Sequence, residues 1–212
     1  MPYIQPRTAN YFGFMPYDAQ PGGLIQTNAY VVSSSEAAIY IGDVVTLTSI
    51  DTVKAVTGAF STMILGVAAQ FLGANLGTTG STGVTFNNPL SSQMLLVYDS
   101  PHQLFTVCDT TSGIMGSTAM NKNVAVLSSG AVGSTGPNTV SLNRSVMAIS
   151  GVTASSGAAL PFKVMGLHPV ETGWWSTDAG SAGVAASVRK YIVKPNNHIY
   201  AQGTGQASVI TS

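Results

Sequence analysis

The side chains that could do acid–base or metal chemistry are few and widely separated along this sequence. The three histidines, His102, His168 and His198, form no His-x-His or His-x-x-x-His pair, so they give no local metal-binding signature. A serine–histidine–carboxylate triad built from distant positions stays compatible with the sequence, yet no Gly-x-Ser-x-Gly motif marks a nucleophile. Most acidic residues stand in turn-forming stretches, where a carboxylate hydrogen-bonds the backbone; they are Asp18, Glu36, Asp43, Asp51, Asp99, Asp109, Glu171 and Asp178. The sequence therefore predicts no enzyme activity, no catalytic residues, no metal site and no cofactor.

Cys108 is the only cysteine, so an intrachain disulfide is impossible. It ends the apolar run Leu104–Cys108, and no cationic residue lies near it in the sequence to activate the thiol. We therefore expect a buried, chemically silent side chain that behaves as a small hydrophobic residue.

Charged residues make up 8% of the chain, whereas an ordinary soluble domain has about 25%. The formal net charge is zero and no basic block occurs, which excludes a nucleic-acid partner that needs clustered lysine and arginine. The most apolar stretch, residues 63–76, is too short to span a membrane and contains Gln70 and Asn75. Because charge is depleted in interface cores, this composition favours a surface that is largely buried against protein partners.

Short apolar, β-branched runs separated by Gly, Ser, Thr and Asn dominate the chain and predict an all-β fold. The runs within residues 38–69 predict a β-meander with a turn or bulge at Gly42-Asp43. With the later runs they predict a barrel- or sandwich-like body of about ten short strands. We assign residues 1–28 to an extended Pro/aromatic arm, 29–202 to the β-rich body and 203–212 to a small polar tail.

Aromatic residues in two places are the candidate protein-interface residues. Four prolines interrupt residues 1–28 and favour an extended backbone, while aromatic side chains between them have a large burial energy. This segment is either a strand that packs on its own domain or an arm that reaches a neighbouring subunit, and we favour the arm. The paired tryptophans form an interface anchor or a core plug, with sugar stacking as the alternative. The candidates are Tyr3, Tyr11, Phe12, Phe14, Tyr17, Trp174 and Trp175.

The order of several loose strand motifs indicates a family. The motifs are a Gly-Asp strand pair at 39–45, a short strand at 53–56, a Leu-Gly-Val-Ala run at 65–68, an Asp-x-Pro turn between strands at 97–107, and a late apolar run with Gly-Leu at 162–167 before a closing strand. This order, over roughly residues 30–200, resembles the capsid cement, or decoration, proteins of tailed bacteriophages. Proteins of that family have β-rich bodies with extended termini.

The resemblance implies a virion structural protein that binds the outside of the major-capsid lattice and stabilises the head by clamping neighbouring capsomers. The implied partners are the major capsid protein and further copies of this chain, with a trimer favoured over a dimer, and no nucleic acid or membrane. The implied location is the capsid exterior after synthesis in the host cytoplasm, and we expect no secretory signal. The alternatives are a carbohydrate-binding phage adhesin and a tail-tube or other head–tail subunit.

Overall fold

The structure is a computed structural model, and it describes residues 13–17, 25–33, 39–56, 63–72, 94–109, 119–127, 145, 147–150, 156, 160–168 and 190–201. Its strands are β1 (Met15–Tyr17), β2 (Asn28–Val32), β3 (Val44–Leu47), β4 (Thr52–Ala55), β5 (Gly66–Leu72), β6 (Met94–Tyr98), β7 (Leu104–Cys108), β8 (Asn123–Val124), β9 (Val126–Leu127), β10 (Ala148–Ile149), β11 (Phe162–Leu167) and β12 (Lys190–Pro195). A 3-10 helix, Ile199–Ala201, follows β12. The predicted all-β class is confirmed. In the part of the chain that the structure describes, no helix is long and apolar enough to cross a membrane.

Five strands close into a barrel in the order β2-β4-β3-β5-β6. β2 and β4 are parallel, and the other neighbouring strands are antiparallel. Burial alternates along the strands, so that Leu95 and Val97 of β6 point inward while Met94 is exposed. The inward positions of β6 carry the apolar residues Leu95 and Val97, which fit a half-buried pleated surface.

The order of strands in the barrel differs from the predicted meander. A meander would place β4 between β3 and β5, but β3 lies in the middle and pairs with both. The other edge of β4 is occupied by β2, with Val31 opposite Thr52. The predicted turn at Gly42-Asp43 is confirmed, because the Asp43 N–H donates to the Tyr40 carbonyl (2.9 Å) and Gly42 has a φ of 92°.

A second, five-stranded sheet has the order β1-β7-β12-β11-β8, with every neighbouring pair antiparallel. β9 and β10 form a separate two-stranded ladder. The apolar run 124–127 is therefore divided between two sheets, with Ala125 at the break, where its carbonyl accepts from the Ser150 N–H (3.0 Å).

Aromatic side chains join the sheet to the barrel. Phe14 stacks on Phe162 with ring centroids 4.6 Å apart, and Phe162 meets Phe105 edge-on at 6.3 Å. Phe105 in turn contacts Tyr98 of β6 at 6.3 Å. Such offset and edge-to-face pairs add to the stabilisation from burial. Barrel and sheet therefore share one hydrophobic core.

The body begins earlier in the chain than the sequence predicts. β1 lies along β7 with Met15 opposite Thr106, and the Phe14 N–H donates to the Gly42 carbonyl (3.0 Å). Residues 13–17 therefore belong to the body and not to the arm. Burial of the Phe14 side chain in the core of its own body stabilises this segment more than an extended arm would. Pro16 is tolerated because β1 is an edge strand. Residues 1–12 and 18–24 of the predicted arm, and the whole predicted tail, 203–212, lie outside the described residues.

Candidate functional site

The structure places two of the seven predicted interface residues, Phe14 and Tyr17. Phe14 is 1% exposed and packs in the core, so its assignment to an interface is corrected. Tyr17 is half-buried at the sheet edge, and its ring meets His168 edge-on at 5.4 Å. The other five, Tyr3, Tyr11, Phe12, Trp174 and Trp175, lie outside the described residues, so their roles and the sugar-stacking alternative stay predictions.

A polar cluster around the buried side chains of Tyr30 and Asp99 lies where β2, the end of β6 and the 3-10 helix meet. The Tyr30 hydroxyl donates to Asp99 Oδ2 at 2.6 Å, and the Asn28 side-chain amide donates to the same oxygen at 2.8 Å. The hydroxyls of Tyr30 and Tyr200 are 3.1 Å apart. Because the proton of Tyr30 is directed at Asp99, Tyr200 is the donor in this second bond. Burial, followed by the hydrogen bond to Asp99, raises the pKa of Tyr30, so its hydroxyl stays protonated.

His198 lies beside this cluster and is 1% exposed. Its Nδ1 accepts a hydrogen bond from the backbone N–H of Tyr200 at 3.0 Å, which places the ring proton on Nε2. Nε2 is buried and makes no hydrogen bond within the described residues. Burial lowers the pKa of His198, and this effect outweighs the opposing influence of the Leu65 and Asp99 carbonyls and the Asp99 carboxylate.

The backbone around His198 fastens the end of the sheet to the barrel. The Ile64 N–H donates to the Asn197 carbonyl (2.9 Å), and the Ile199 N–H donates to the Ile64 carbonyl (2.9 Å). Ile64 and His198 therefore form a parallel bridge. The cluster links segments that are 69 to 170 residues apart in the chain.

The geometry of the cluster suits a structural fastening better than catalysis. A general base needs one ring nitrogen free to reach a substrate, but Nδ1 of His198 is occupied by Tyr200 and Nε2 is buried. Among the described residues no carboxylate hydrogen-bonds this ring, and Asp99 instead accepts from Tyr30 and Asn28. Nor do three His, Cys, Asp or Glu side chains in the described ranges group as metal ligands. Composition alone gives no signal for this cluster, because its members are ordinary polar residues far apart in sequence.

An apolar row on the outside of the barrel is the feature best suited to contact another protein. Leu72 of β5, Met94 of β6 and Val31 of β2 lie opposite one another in register. Leu72 and Met94 are 38% and 40% exposed, and Val31 is half-buried. A register shift between Ala68 and Gln70 turns this end of β5 so that Leu72 faces outward. We call Val31, Leu72 and Met94 the barrel row.

The strand signals at 30–32 and 94–98 predict β2 and β6 of the barrel row, but not the extension of β5 to Leu72 or the exposure of the side chains. The same alternation fits a strand with either face buried, so the exposed face depends on tertiary packing. Comparison with protein-family models, with curated proteins and with solved structures finds no match to this chain.

Proposed function

We propose that this protein is a virion structural protein that binds the outside of a major-capsid lattice and stabilises the head, and that it does no catalysis. The barrel row is the observation that supports this role best. Three apolar side chains stand side by side on the outside of a closed barrel, in a chain that has 8% charged residues. Adjacent exposed apolar side chains favour an interaction site over a free surface.

The binding free energy from each copy is small, but repetition over the lattice makes the total sufficient to stabilise the head. Burying the remaining exposed surface of Leu72 or Met94 contributes about 1 kcal/mol each, since full burial of such a side chain is worth about 2–3 kcal/mol. A shell that presents many identical sites gains this contribution at every site, and it gains it only when assembled. Low surface charge suits this role because few charged groups need to be desolvated at the contact. Self-association as a trimer or a dimer is part of the proposal.

The test compares genome release on heating from heads with and without the bound protein. We expect heads saturated with the protein to release at a higher temperature. The double variant Leu72→Ser/Met94→Ser should bind the shell at least tenfold more weakly and lose most of this protection. Ile25→Ser is the matched control, because Ile25 is 46% exposed and precedes the other end of β2, where Asn28 pairs with Val97.

Equal release temperatures with and without the protein would remove the stabilising role. Equal binding by Leu72→Ser/Met94→Ser and Ile25→Ser would show that the barrel row is not the contact. The mass of the protein in solution, measured alone and with empty shells, distinguishes monomer, dimer and trimer in the same samples.

A further inference from the structure

The outer face of the five-stranded sheet holds three of the five lysines of the chain. Lys190 and Lys194 lie on β12, and Lys163 lies on β11. All three are half-exposed, whereas the residues that alternate with them, such as Tyr191 and Val193, are buried. The lysine side chains therefore occupy the face of the sheet that points away from the core.

Two of these lysines oppose each other directly. Lys163 and Lys194 are Cα partners in the β11–β12 ladder. Side chains that are directly opposite in an antiparallel pair have Cβ atoms about 5 Å apart, and like charges there are destabilising. Neither lysine has an ion-pair partner within the described residues. Among the residues that the structure describes, the Lys163–Lys194 pair is therefore a positive site without a compensating carboxylate.

The acidic residues that the structure describes are not available to Lys163 and Lys194. Asp43, Asp99 and Asp109 are at most 5% exposed, and Asp51 lies on the β3–β4 connection of the barrel.

Apolar surface accompanies the charge. Ile192 and Leu104 are half-exposed on the same face, and Thr106 lies opposite Ile192 in register. Lysine stems add aliphatic area while the ammonium groups stay at the surface. A face with a few cations set among apolar side chains matches a folded protein surface better than a phosphate backbone, which needs a denser cluster of basic residues.

We propose that the outer face of the five-stranded sheet, centred on Lys163 and Lys194, docks on a carboxylate-rich patch of a protein partner. The partner's carboxylates remove the repulsion between the two ammonium groups, and Ile192 and Leu104 bury apolar surface beneath them. Under the proposed function, on which this inference rests, the partner is the shell, and this face is a second contact besides the barrel row.

The first experiment measures binding of the intact protein to empty shells as a function of salt. Lys163→Gln/Lys194→Gln removes the charge and keeps most of the stem, and it should weaken binding roughly tenfold and flatten the salt dependence. The matched control, Lys54→Gln, removes an exposed lysine from β4 of the barrel and should bind as the parent protein does. The double variant should be at least as stable as the parent protein, because it removes a repulsion.

A second measurement keeps this inference separate from the proposed function. Intact protein is tested at low salt for binding to poly-L-glutamate and to duplex DNA. We expect binding to poly-L-glutamate that Lys54→Gln retains and Lys163→Gln/Lys194→Gln loses at least fivefold. One result would contradict the docking face and leave the proposed function intact. In that result only the barrel-row variant loses shell binding, and Lys163→Gln/Lys194→Gln binds poly-L-glutamate and duplex DNA as the parent protein does.

Two other outcomes also decide the matter. If the parent protein fails to bind shells but shows the lysine-dependent preference for poly-L-glutamate, the proposed function fails and the acidic docking face stands. Equal or tighter binding to duplex DNA through the same lysines would overturn the protein partner in favour of a general polyanion site.

Discussion

Tyr30 shows how a single hydroxyl connects separate parts of this protein. It donates to Asp99 and accepts from Tyr200, so one side chain of β2 joins the end of β6 and the segment after β12. Both Tyr30 and Asp99 are buried, and a buried polar group is stable only when it is hydrogen-bonded. The cluster therefore stabilises one arrangement of these three elements against alternatives.

Tyr30→Phe should lower the free energy of unfolding by about 1–3 kcal/mol, because the Asp99 carboxylate keeps its burial and loses one of its two donors. Tyr200→Phe should cost less than about 1 kcal/mol, since Tyr200 is 55% exposed and Tyr30 keeps its bond to Asp99. Chemical denaturation of both variants measures the difference. Equal losses of unfolding free energy in the two variants would mean that the Tyr30–Asp99 bond contributes no more to stability than the Tyr30–Tyr200 bond.

His198 makes the stability of the protein depend on pH. Because burial lowers its pKa in the folded state, the unfolded chain binds this proton more readily. The free energy of unfolding should therefore fall as pH drops below the ordinary histidine pKa of about 6.5, with a slope of up to about 1.4 kcal/mol per pH unit, and level off below the folded-state pKa. Protonation would also remove the Nδ1 acceptor that Tyr200 uses.

The measurement is chemical denaturation between pH 5 and pH 8. His198→Asn keeps an acceptor near the Tyr200 N–H and should flatten the slope. A slope unchanged in His198→Asn would assign the pH dependence to another group.

At the scale of elements, β1 decides where the folded body begins. Its three residues add an edge to the sheet, and Phe14 just before it fills the core between Phe162 and the turn at Gly42. A short edge strand gives little by itself, so the aromatic anchor is the main contribution of this segment.

Phe14→Ala should cost about 3–5 kcal/mol, as expected for an aromatic side chain removed from a packed core. Met15→Ala, at a position 43% exposed, should cost less than about 1 kcal/mol. Deleting residues 2–12 should leave a folded body, whereas deleting 2–17 should not, and circular dichroism of the purified chains tests both. A folded chain lacking 2–17 would show that β1 is dispensable.

Gly66 is needed at the start of β5 because two strands approach closely there. A Cβ at Gly66 would overlap the carbonyl group of Tyr98, and backbone cannot move aside without disturbing the β5–β6 pairing. Gly66→Ala should therefore cost about 3 kcal/mol. The control is Gly166→Ala in β11, where a Cβ meets nothing within 4 Å, and it should be neutral or slightly stabilising.

At the scale of the whole molecule, barrel and sheet should unfold together, because one core includes both. Cys108 reports on the sheet, since it is 6% exposed at the end of β7, as its apolar context predicts. Its labelling by a thiol reagent should be slow in the native protein, and Gly66→Ala in the barrel should accelerate it in proportion to the loss of global stability. An unchanged labelling rate in that variant would show that the sheet opens independently of the barrel.

Local patterns in the sequence were sufficient for the class of fold and for many of its elements. The runs at 94–98, 104–108 and 162–167 coincide with β6, β7 and β11, because β-branched and aromatic residues at alternate positions favour strands wherever they occur. The turn at Gly42 and the burial of Cys108 follow from equally local causes, a positive φ and an apolar context.

Tertiary structure alone decided the pairing of those strands and everything that depends on it. The parallel pairing of β2 with β4, the place of Phe14 in the core and the Tyr30–Asp99–Tyr200 cluster join residues far apart in sequence. The Lys163–Lys194 pair depends on the register of one hairpin, and a shift of one residue would place both lysines elsewhere. An alternating pattern predicts that a segment forms a strand, but it does not predict which strand lies beside it or which of its faces meets the core. Contacts between distant segments determine both.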